Sequence, residues 1–244
     1  NPILFKALPA LAFAAVLTAG LYVPIAGIKP FWGFQGDLIV TIYLLSMVSL
    51  CIGLAGANTL DRFSIIGATR TLTQLFSYEA PFLLALLGPA IVAGSWQLGT
   101  ISAYTREHFL LNLLTQPISF FIALVGLMGK LELPPFDAPE AETEIVSGAM
   151  TEYSGRGLAL FHFSKDIELV VGLTLIATFF LGGIANPIEF ILKTLGLLLL
   201  MALIQALFTR LRIDQTVGFW WRFCSILALL QILVLVILKT TGVI

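Results

Sequence analysis

The feature that most constrains this chain is a succession of long apolar runs separated by short polar connections. A run of about 20 apolar residues is long enough to cross a bilayer as an α-helix. About seven runs reach that length, and they cover residues 3–26, 37–57, 71–94, 112–130, 159–184, 187–209 and 219–238. The sequence therefore predicts an all-α fold, a polytopic bundle of about seven transmembrane helices that forms a single integral membrane domain over residues 1–244.

The composition excludes an ordinary soluble domain. Charged residues make up 11% of the chain and the mean hydropathy is +1.01, whereas about 25% of residues are charged in soluble domains. The formal net charge of −1 gives no indication of a nucleic-acid partner. Cys51 and Cys224 lie in apolar runs outside any CxxC or Cys/His pattern. We therefore interpret them as buried hydrophobic residues and expect no metal site in this chain.

Basic residues predict how the chain is oriented, because the cytoplasmic connections of membrane proteins are enriched in Lys and Arg. The first, third and fifth connections hold only Lys29 and Arg106. The second, fourth and sixth connections hold Arg62, Arg70, Lys130, Arg156, Arg210 and Arg212. We therefore expect the even-numbered connections, including the long fourth one, to face the cytoplasm.

The fourth connection, residues 130–158, holds an unusual share of the acids. Six of the 14 Asp and Glu residues lie between Glu132 and Glu152. One interpretation is a solvated cytoplasmic loop. However, apolar residues such as Phe136 and Ile145 alternate with the acids, which favours a segment packed against the bundle. Desolvation and mutual repulsion raise carboxylate pKa values, so acids packed in this way are candidates for a proton or cation relay.

The same segment predicts a helical face of carboxylates. Asp137, with Pro139 and Glu140 after it, resembles a helix-capping box with proline in the first turn. Glu140 and Glu144 follow Asp137 at offsets of 3 and 7 and would share its face. Glu142 would point elsewhere. Glu152 lies beyond Gly148, and we expect it on a turn or a second short helix.

Glu79 is the clearest acid inside a predicted span. It follows Tyr78 near the start of the third span. A carboxylate at the level of the lipid headgroups and an acid lining an internal polar path are both compatible with this position. Weaker candidates are Lys193 and the stretch 165–168, whose charges could form an interfacial ion pair.

Several stretches resemble a known family. PPFDAPEAETEIVSGAMTEYSG, GATRTLTQLFSYEAPFLLALLG and FTRLRIDQ are each present in this chain. They are similar to signatures of the H-type membrane subunit of respiratory complex I. They are equally similar to the matching subunit of membrane-bound [NiFe] hydrogenases and of related ferredoxin-linked complexes. The first span of that family, and the amphipathic helix after it, are expected to be missing from this sequence.

The resemblance implies a multi-pass subunit of the cell membrane that anchors a peripheral redox arm to an ion-pumping membrane arm. It implies no cofactor in this chain, because the NiFe and iron–sulfur centres would belong to partner subunits. The implied partners are hydrogenase large- and small-like subunits, iron–sulfur subunits, antiporter-like membrane subunits and, through the complex, ferredoxin.

The resemblance also implies roles for individual residues. The proton or ion relay would consist of Glu79, Asp137, Glu140, Glu142, Glu144 and Glu152. Supporting or docking residues would be Arg70, Tyr78, Lys130, Arg156, Arg210, Arg212 and Asp214. No residue is expected to be catalytic or to bind a metal.

Two departures from the family pattern bear on the electron acceptor. Quinone-reducing relatives read roughly E-T-N-R-x-PFD where this chain has KLELPPFD from Lys130, and an acid–aromatic pair is replaced by SKDIE at residues 164–168. Both changes would alter the wall of a quinone chamber, which favours the hydrogenase branch, with a sulfur reductase as the next alternative and a quinone-reducing complex after it. A stand-alone secondary transporter is the remote alternative, because no internal repeat is evident.

Overall fold

The computed structural model of the protein describes residues 2–27 and 30–241, without the side chains of residues 26, 142 and 143. Regular structure in these residues is entirely helical, as predicted. The α-helices are α1 (Pro2–Tyr22), α2 (Asp37–Ala57), α3 (Arg62–Ala93), α4 (Leu98–Glu107), α5 (Phe109–Thr115), α6 (Pro117–Lys130), α7 (Glu142–Ile145), α8 (Gly155–Phe180), α9 (Pro187–Leu207), α10 (Ile213–Phe219) and α11 (Ser225–Thr240), with a π-helical turn, Trp220–Cys224, joining the last two.

The number of clear membrane spans is smaller than predicted. Within the described residues, α1, α2, α3, α9 and the continuous segment Ile213–Thr240 are long and apolar enough to cross a bilayer. A sixth span exists only if α5 and α6, which meet at a bend of 78°, count as one. Helix α8 has sufficient length but carries Lys165, Asp166 and Glu168 near its centre. It packs against α1, α4 and α6, so protein rather than lipid surrounds much of it.

Helix α3 begins earlier than the predicted span. The carboxylate of Asp61 accepts a hydrogen bond from the Ser64 amide at 3.1 Å and so caps the helix. At about 1.5 Å per residue, 32 residues extend for roughly 48 Å, longer than the ~30 Å hydrocarbon core of a bilayer. Helix α3 is therefore longer than a perpendicular span requires. Arg70, predicted in a connection, lies in the N-terminal part of this helix.

The acidic segment is not the helix that its capping pattern predicts. Ala138–Glu140 is a 3₁₀ turn, and the chain breaks at Ala141 (φ −44°, ψ 82°) before the single turn α7. Asp137 makes no capping hydrogen bond. The predicted shared face of Asp137, Glu140 and Glu144 is therefore wrong. The three acids point to cations on different elements, and those ion pairs replace a helix that local repulsion would have weakened.

The segment is nevertheless packed against the bundle, as expected. Phe136 and Ile145 are buried. Gln74 on α3 donates hydrogen bonds of 2.8 Å to the carbonyls of both Gly129 and Phe136, which ties the segment to the end of α6. Gly67 on α3 permits close contact, because a Cβ there would lie 2.4 Å from the Ala149 amide. The acidic segment is thus packed closely against the N-terminal half of α3.

Candidate functional site

The innermost part of the site is a buried ion pair between α6 and α3. Lys130 Nζ donates to Ser46 Oγ at 3.0 Å and lies 3.7 Å from Glu79 Oε2, while Ser46 also donates to the Glu79 carboxylate. The ammonium sits 5.3 Å from the ring centroid of Tyr78 and 5.7 Å from that of Phe82. Because an ammonium is buried at tolerable cost only when it is paired, these contacts explain why the Lys130 side chain has no exposed surface.

This geometry corrects the predicted place of Lys130. The sequence suggested a cytoplasmic loop cation, whereas Lys130 is the direct electrostatic partner of Glu79 inside the bundle. Tyr78, predicted beside Glu79 in a supporting role, does not bind the carboxylate. Its hydroxyl donates to Ser49 Oγ at 3.1 Å. Of the two interpretations of Glu79, the internal one agrees with the structure, since its side chain is 19% exposed and faces a buried lysine.

A second ion-pair centre joins α8 to the acidic segment. Lys165 Nζ lies 2.6 Å from Glu132 Oε2 and also donates to the Glu140 carboxylate. Glu132 is buried, and this burial raises the pKa of its carboxyl group against the opposing charge of Lys165. The proposed interfacial pairing within residues 165–168 is therefore wrong, because Lys165 pairs with partners 25 and 33 residues away.

The predicted relay does not include Glu132, and the sequence indicates Lys165 and Glu168 only as weaker candidates. Glu168 is 1% exposed, and neither of its oxygens has a hydrogen-bond partner in the described residues. The cations that act on it are Lys130 and Lys165. A glutamate one turn after a lysine in the middle of a span was the available signal, because intramembrane charges are expensive and mark polar interiors.

The outer part of the site consists of two arginine–carboxylate pairs. Arg210 Nε lies 3.2 Å from Asp137 Oδ1, and its guanidinium also donates to the Asp137 carbonyl at 3.1 Å. Arg70 Nη1 lies 2.7 Å from Glu144 Oε2 and donates to the Ala138 carbonyl at 3.2 Å. The hydrogen bond and charge of Arg70 hold the pKa of Glu144 below its ordinary value. Each arginine thus holds the acidic segment through one ion pair and one hydrogen bond to its backbone.

Two cavities open beside these pairs. The first, of about 490 Å³, connects the Lys165 centre with the outer pair of Arg210 and Asp137, because its lining includes these residues together with Glu132 and Glu140. The second, of about 510 Å³, brings Arg212 and Asp214 next to the pair of Arg70 and Glu144, with Arg210 between the two cavities. Four predicted supporting residues therefore do lie at the site.

Other predicted residues lie apart from it. Glu152 is on a turn, as expected, but its carboxylate accepts from the Asp61 amide at 3.0 Å. With Arg156 it lines a separate groove beside α1. The side chain of Glu142, and Lys29 as a whole, lie outside the part of the chain that the structure describes. No group of three or more His, Cys, Asp or Glu residues in the described part is arranged to hold a metal ion.

Comparisons with known proteins agree on one family. The family model described as NADH dehydrogenase matches residues 1–236. The H-type subunit of NADH-quinone oxidoreductase from Dehalococcoides mccartyi is 32% identical over 231 residues, covering 93% of this chain and 65% of that protein. NADH-quinone oxidoreductase subunit 8 from Thermus thermophilus is 35% identical over 244 residues, covering 95% and 67%. The chain thus spans about two thirds of the length of these curated relatives.

A solved structure shares the fold. A chain in the structure of the membrane-bound sulfane sulfur reductase (MBS), an archaeal respiratory membrane complex, superposes with a TM-score of 0.83. The match covers 95% of this chain and 79% of that chain at 24% sequence identity. At this identity the likeness demonstrates a common fold and nothing finer.

Proposed function

The chain belongs to the NADH dehydrogenase family of H-type complex I subunits, and on that premise we propose that it is the membrane anchor and coupling subunit of an ion-translocating respiratory complex. In this role it performs no redox chemistry of its own. Electron transfer in a peripheral arm changes the charge next to this subunit, and the subunit transmits that change to ion-pumping membrane subunits.

The observation that carries this proposal is the succession of ion pairs from the loop into the bundle. Arg210 holds Asp137 at the cavity, and Lys165 joins Glu140 to the buried Glu132. Lys130 then pairs with Glu79 deeper inside. Replacing a buried ion pair by well-packed apolar residues is often neutral or stabilising, so stability alone does not account for burying several charges. Protonating one carboxylate weakens its hold on its lysine, and the next pair along the series experiences the change.

A stand-alone transporter is supported less well. Such proteins commonly bind their substrate between paired broken helices at the bilayer midplane. Within the described residues only one bent pair, α5 and α6, has the length and composition of a span. The charged groups instead gather at the end of the bundle where the acidic segment lies, which is the arrangement a docking subunit needs.

For the redox chemistry, we propose a ferredoxin-dependent complex of the membrane-bound [NiFe] hydrogenase type. The charged wall of the 490 Å³ cavity supports a quinone-independent complex, because an apolar quinone ring would desolvate the partly exposed charges of Asp137, Glu140 and Arg210. The NiFe and iron–sulfur centres would be held by hydrogenase-like and iron–sulfur partners, and ions would move through antiporter-like membrane subunits.

The test is the composition and activity of the complex purified in mild detergent through a tag on this chain. The proposal expects stoichiometric nickel, iron–sulfur clusters and ferredoxin-dependent hydrogen evolution. Clusters without nickel, with sulfane-sulfur or quinone reduction, would contradict the hydrogenase type and leave the coupling role standing. Purification of the chain alone, stable and without any redox subunit, would contradict the coupling role as well.

A further inference from the structure

Glu132 differs from the other acids at the cavity. Asp137, Glu140 and Asp166 also line it, but each retains substantial exposure, whereas Glu132 is 5% exposed. Its Oε2 accepts from Lys165, its buried Oε1 makes no hydrogen bond of ordinary geometry, and the Thr71 hydroxyl on α3 lies close enough to favour the ionised carboxylate. Glu132 therefore presents a buried carboxylate, paired with Lys165 and next to Thr71, at the wall of the cavity.

The backbone of Glu132 adopts a conformation that is unfavourable for a residue with a side chain. Its φ is 55°, in the left-handed region that a Cβ disfavours. The Glu132 amide donates to the Gly129 carbonyl and the Leu133 amide to the Met128 carbonyl, which closes the end of α6 in a Schellman motif. Glycine is the usual residue at this position of the motif, since it adopts the conformation without strain. A glutamate there points to a role for the carboxylate.

The charge balance of the interior indicates that one of its acids, a group that includes Glu132, holds a proton. The buried or nearly buried lysines of the described residues at this end of the bundle are Lys130 and Lys165, and the acids of the interior that act on them are Glu79, Glu132 and Glu168. Glu140 also pairs with Lys165, but its side chain is 36% exposed and its charge is solvated. Two positive charges oppose three carboxylates. The interior is therefore neutral when it holds one additional proton, and a neutral interior is favoured in a low-dielectric environment.

We propose that Glu132 is the proton-accepting residue through which the cavity exchanges that proton with Glu168, under the control of Lys165. A proton from water in the cavity binds Glu132 Oε1, and Lys165 then pairs with Glu140 alone. When the proton passes from Glu132 to Glu168, the Glu132 carboxylate regains Lys165. Each step moves one proton and leaves Lys165 charged. This inference rests on the proposed coupling function and names its entry residue.

The groups that face Glu132 are consistent with this role. Lys165 on α8 contacts it directly, Glu140 in the acidic segment shares Lys165 with it, and Thr71 lies beside it on α3, while Glu168 and Tyr78 interact with it through longer-range charge. Lys165 favours the ionised carboxylate, while burial and the charge of Glu140 favour the protonated form. Loss of the Lys165 contact during the cycle would therefore drive proton uptake, and its return would drive release.

The test compares two variants in the intact complex reconstituted into vesicles. Glu132→Gln keeps the size of the side chain, and Glu132→Gly keeps the left-handed turn while removing the carboxylate. Glu107→Gln, an exposed acid on α4, is the matched control. We expect both Glu132 variants to translocate about half as many ions per electron or fewer, with electron transfer from the donor unchanged. The control should equal the wild type.

A conservative variant separates proton transfer from a structural role. Glu132→Asp keeps an acid and should restore coupling, with its dependence on pH displaced from that of the wild type. Full coupling in Glu132→Gly would overturn the inference. If Glu79→Gln nevertheless loses coupling, the proposed function stands without Glu132, whereas full coupling in Glu132→Gly and Glu79→Gln together would overturn both. If Glu132→Gln fails to assemble, Glu132→Gly decides, because its backbone is unstrained.

Discussion

Replacing Lys130 by Met should destabilise the protein far more than replacing both members of its ion pair. Methionine fills a similar volume, so the main change is loss of the positive charge. The variant leaves Glu79 facing Ser46 and the aromatic rings without a cation. Breaking a buried pair by removing one partner costs about 3–5 kcal/mol, whereas replacing both partners by neutral groups is often close to neutral.

The magnitude follows from the exposure of the two side chains. Lys130 is completely buried, and Glu79 is 19% exposed, so most of the penalty applies. For a chain of 150–250 residues, 1 kcal/mol corresponds to roughly 2–4 °C in the thermal midpoint. Lys130→Met should therefore lower the midpoint by roughly 6–20 °C. Lys130→Met/Glu79→Gln should recover more than half of that loss, since no uncompensated charge remains at this pair.

The assay is thermal release of the chain from the detergent-solubilised complex, followed by size-exclusion chromatography. Lys6→Met, at an exposed lysine on α1, is the control and should leave the midpoint within about 2 °C. A double variant as unstable as Lys130→Met would refute the reasoning. That result would mean that Lys130 stabilises the bundle by packing and not by pairing with Glu79.

Two further predictions concern the acidic segment. Gly67→Ala should detach the acidic segment from α3, because the new Cβ would lie 2.4 Å from the backbone of Gly148. The rate of limited proteolysis within the segment should then rise at least tenfold. The control Gly218→Ala, which has open space around its Cβ, should be cleaved at the wild-type rate. Arg70→Gln should let the pKa of Glu144 rise toward its ordinary value. Because that pKa is depressed in the folded protein, the stabilisation from this exposed pair is present at neutral pH and is lost as pH falls through the folded value. Since an exposed ion pair contributes only modestly to stability, proteolytic protection of the acidic segment at pH 7 should be a few-fold lower in the variant than in the wild type, and the difference should shrink on acidification. Equal protection at pH 7 would contradict this.

Much of the fold could be predicted because membrane helices are specified locally by long apolar runs. Helices α1, α2 and α9 lie close to their predicted spans for this reason. Helix α8 was the difficult case, since its charges are stabilised by tertiary partners that a hydropathy pattern does not include. The early start of α3 depends on the Asp61 cap, a single side-chain hydrogen bond.

Some acids of the candidate site could be predicted, but Glu132 and the pairing of the charges could not. Glu79 could be recognised because an acid within an apolar run requires a polar environment. The pairing of Lys165 with Glu132, and of Lys130 with Glu79, joins residues that are distant in sequence and lie on different elements. The predicted acidic face of Asp137 failed for the same reason. Tertiary ion pairs overrode a local capping pattern, and no property of the segment alone indicates which cation each acid meets.

The central claim is that the buried acids couple electron transfer to ion movement, and the most direct measurement is the number of ions translocated per electron by Glu79→Gln. The variant complex should be reconstituted into sealed vesicles, with ion uptake and electron transfer recorded on the same sample. We expect electron transfer close to that of the wild type and a ratio reduced by at least about half, in a complex that still assembles at the assay temperature but has a lower thermal midpoint, because Lys130 loses its buried partner. A wild-type ratio in the assembled variant would contradict the account. If Glu79→Gln does not assemble, the same measurement on Lys130→Met/Glu79→Gln, in which neither charge remains, decides between the two results.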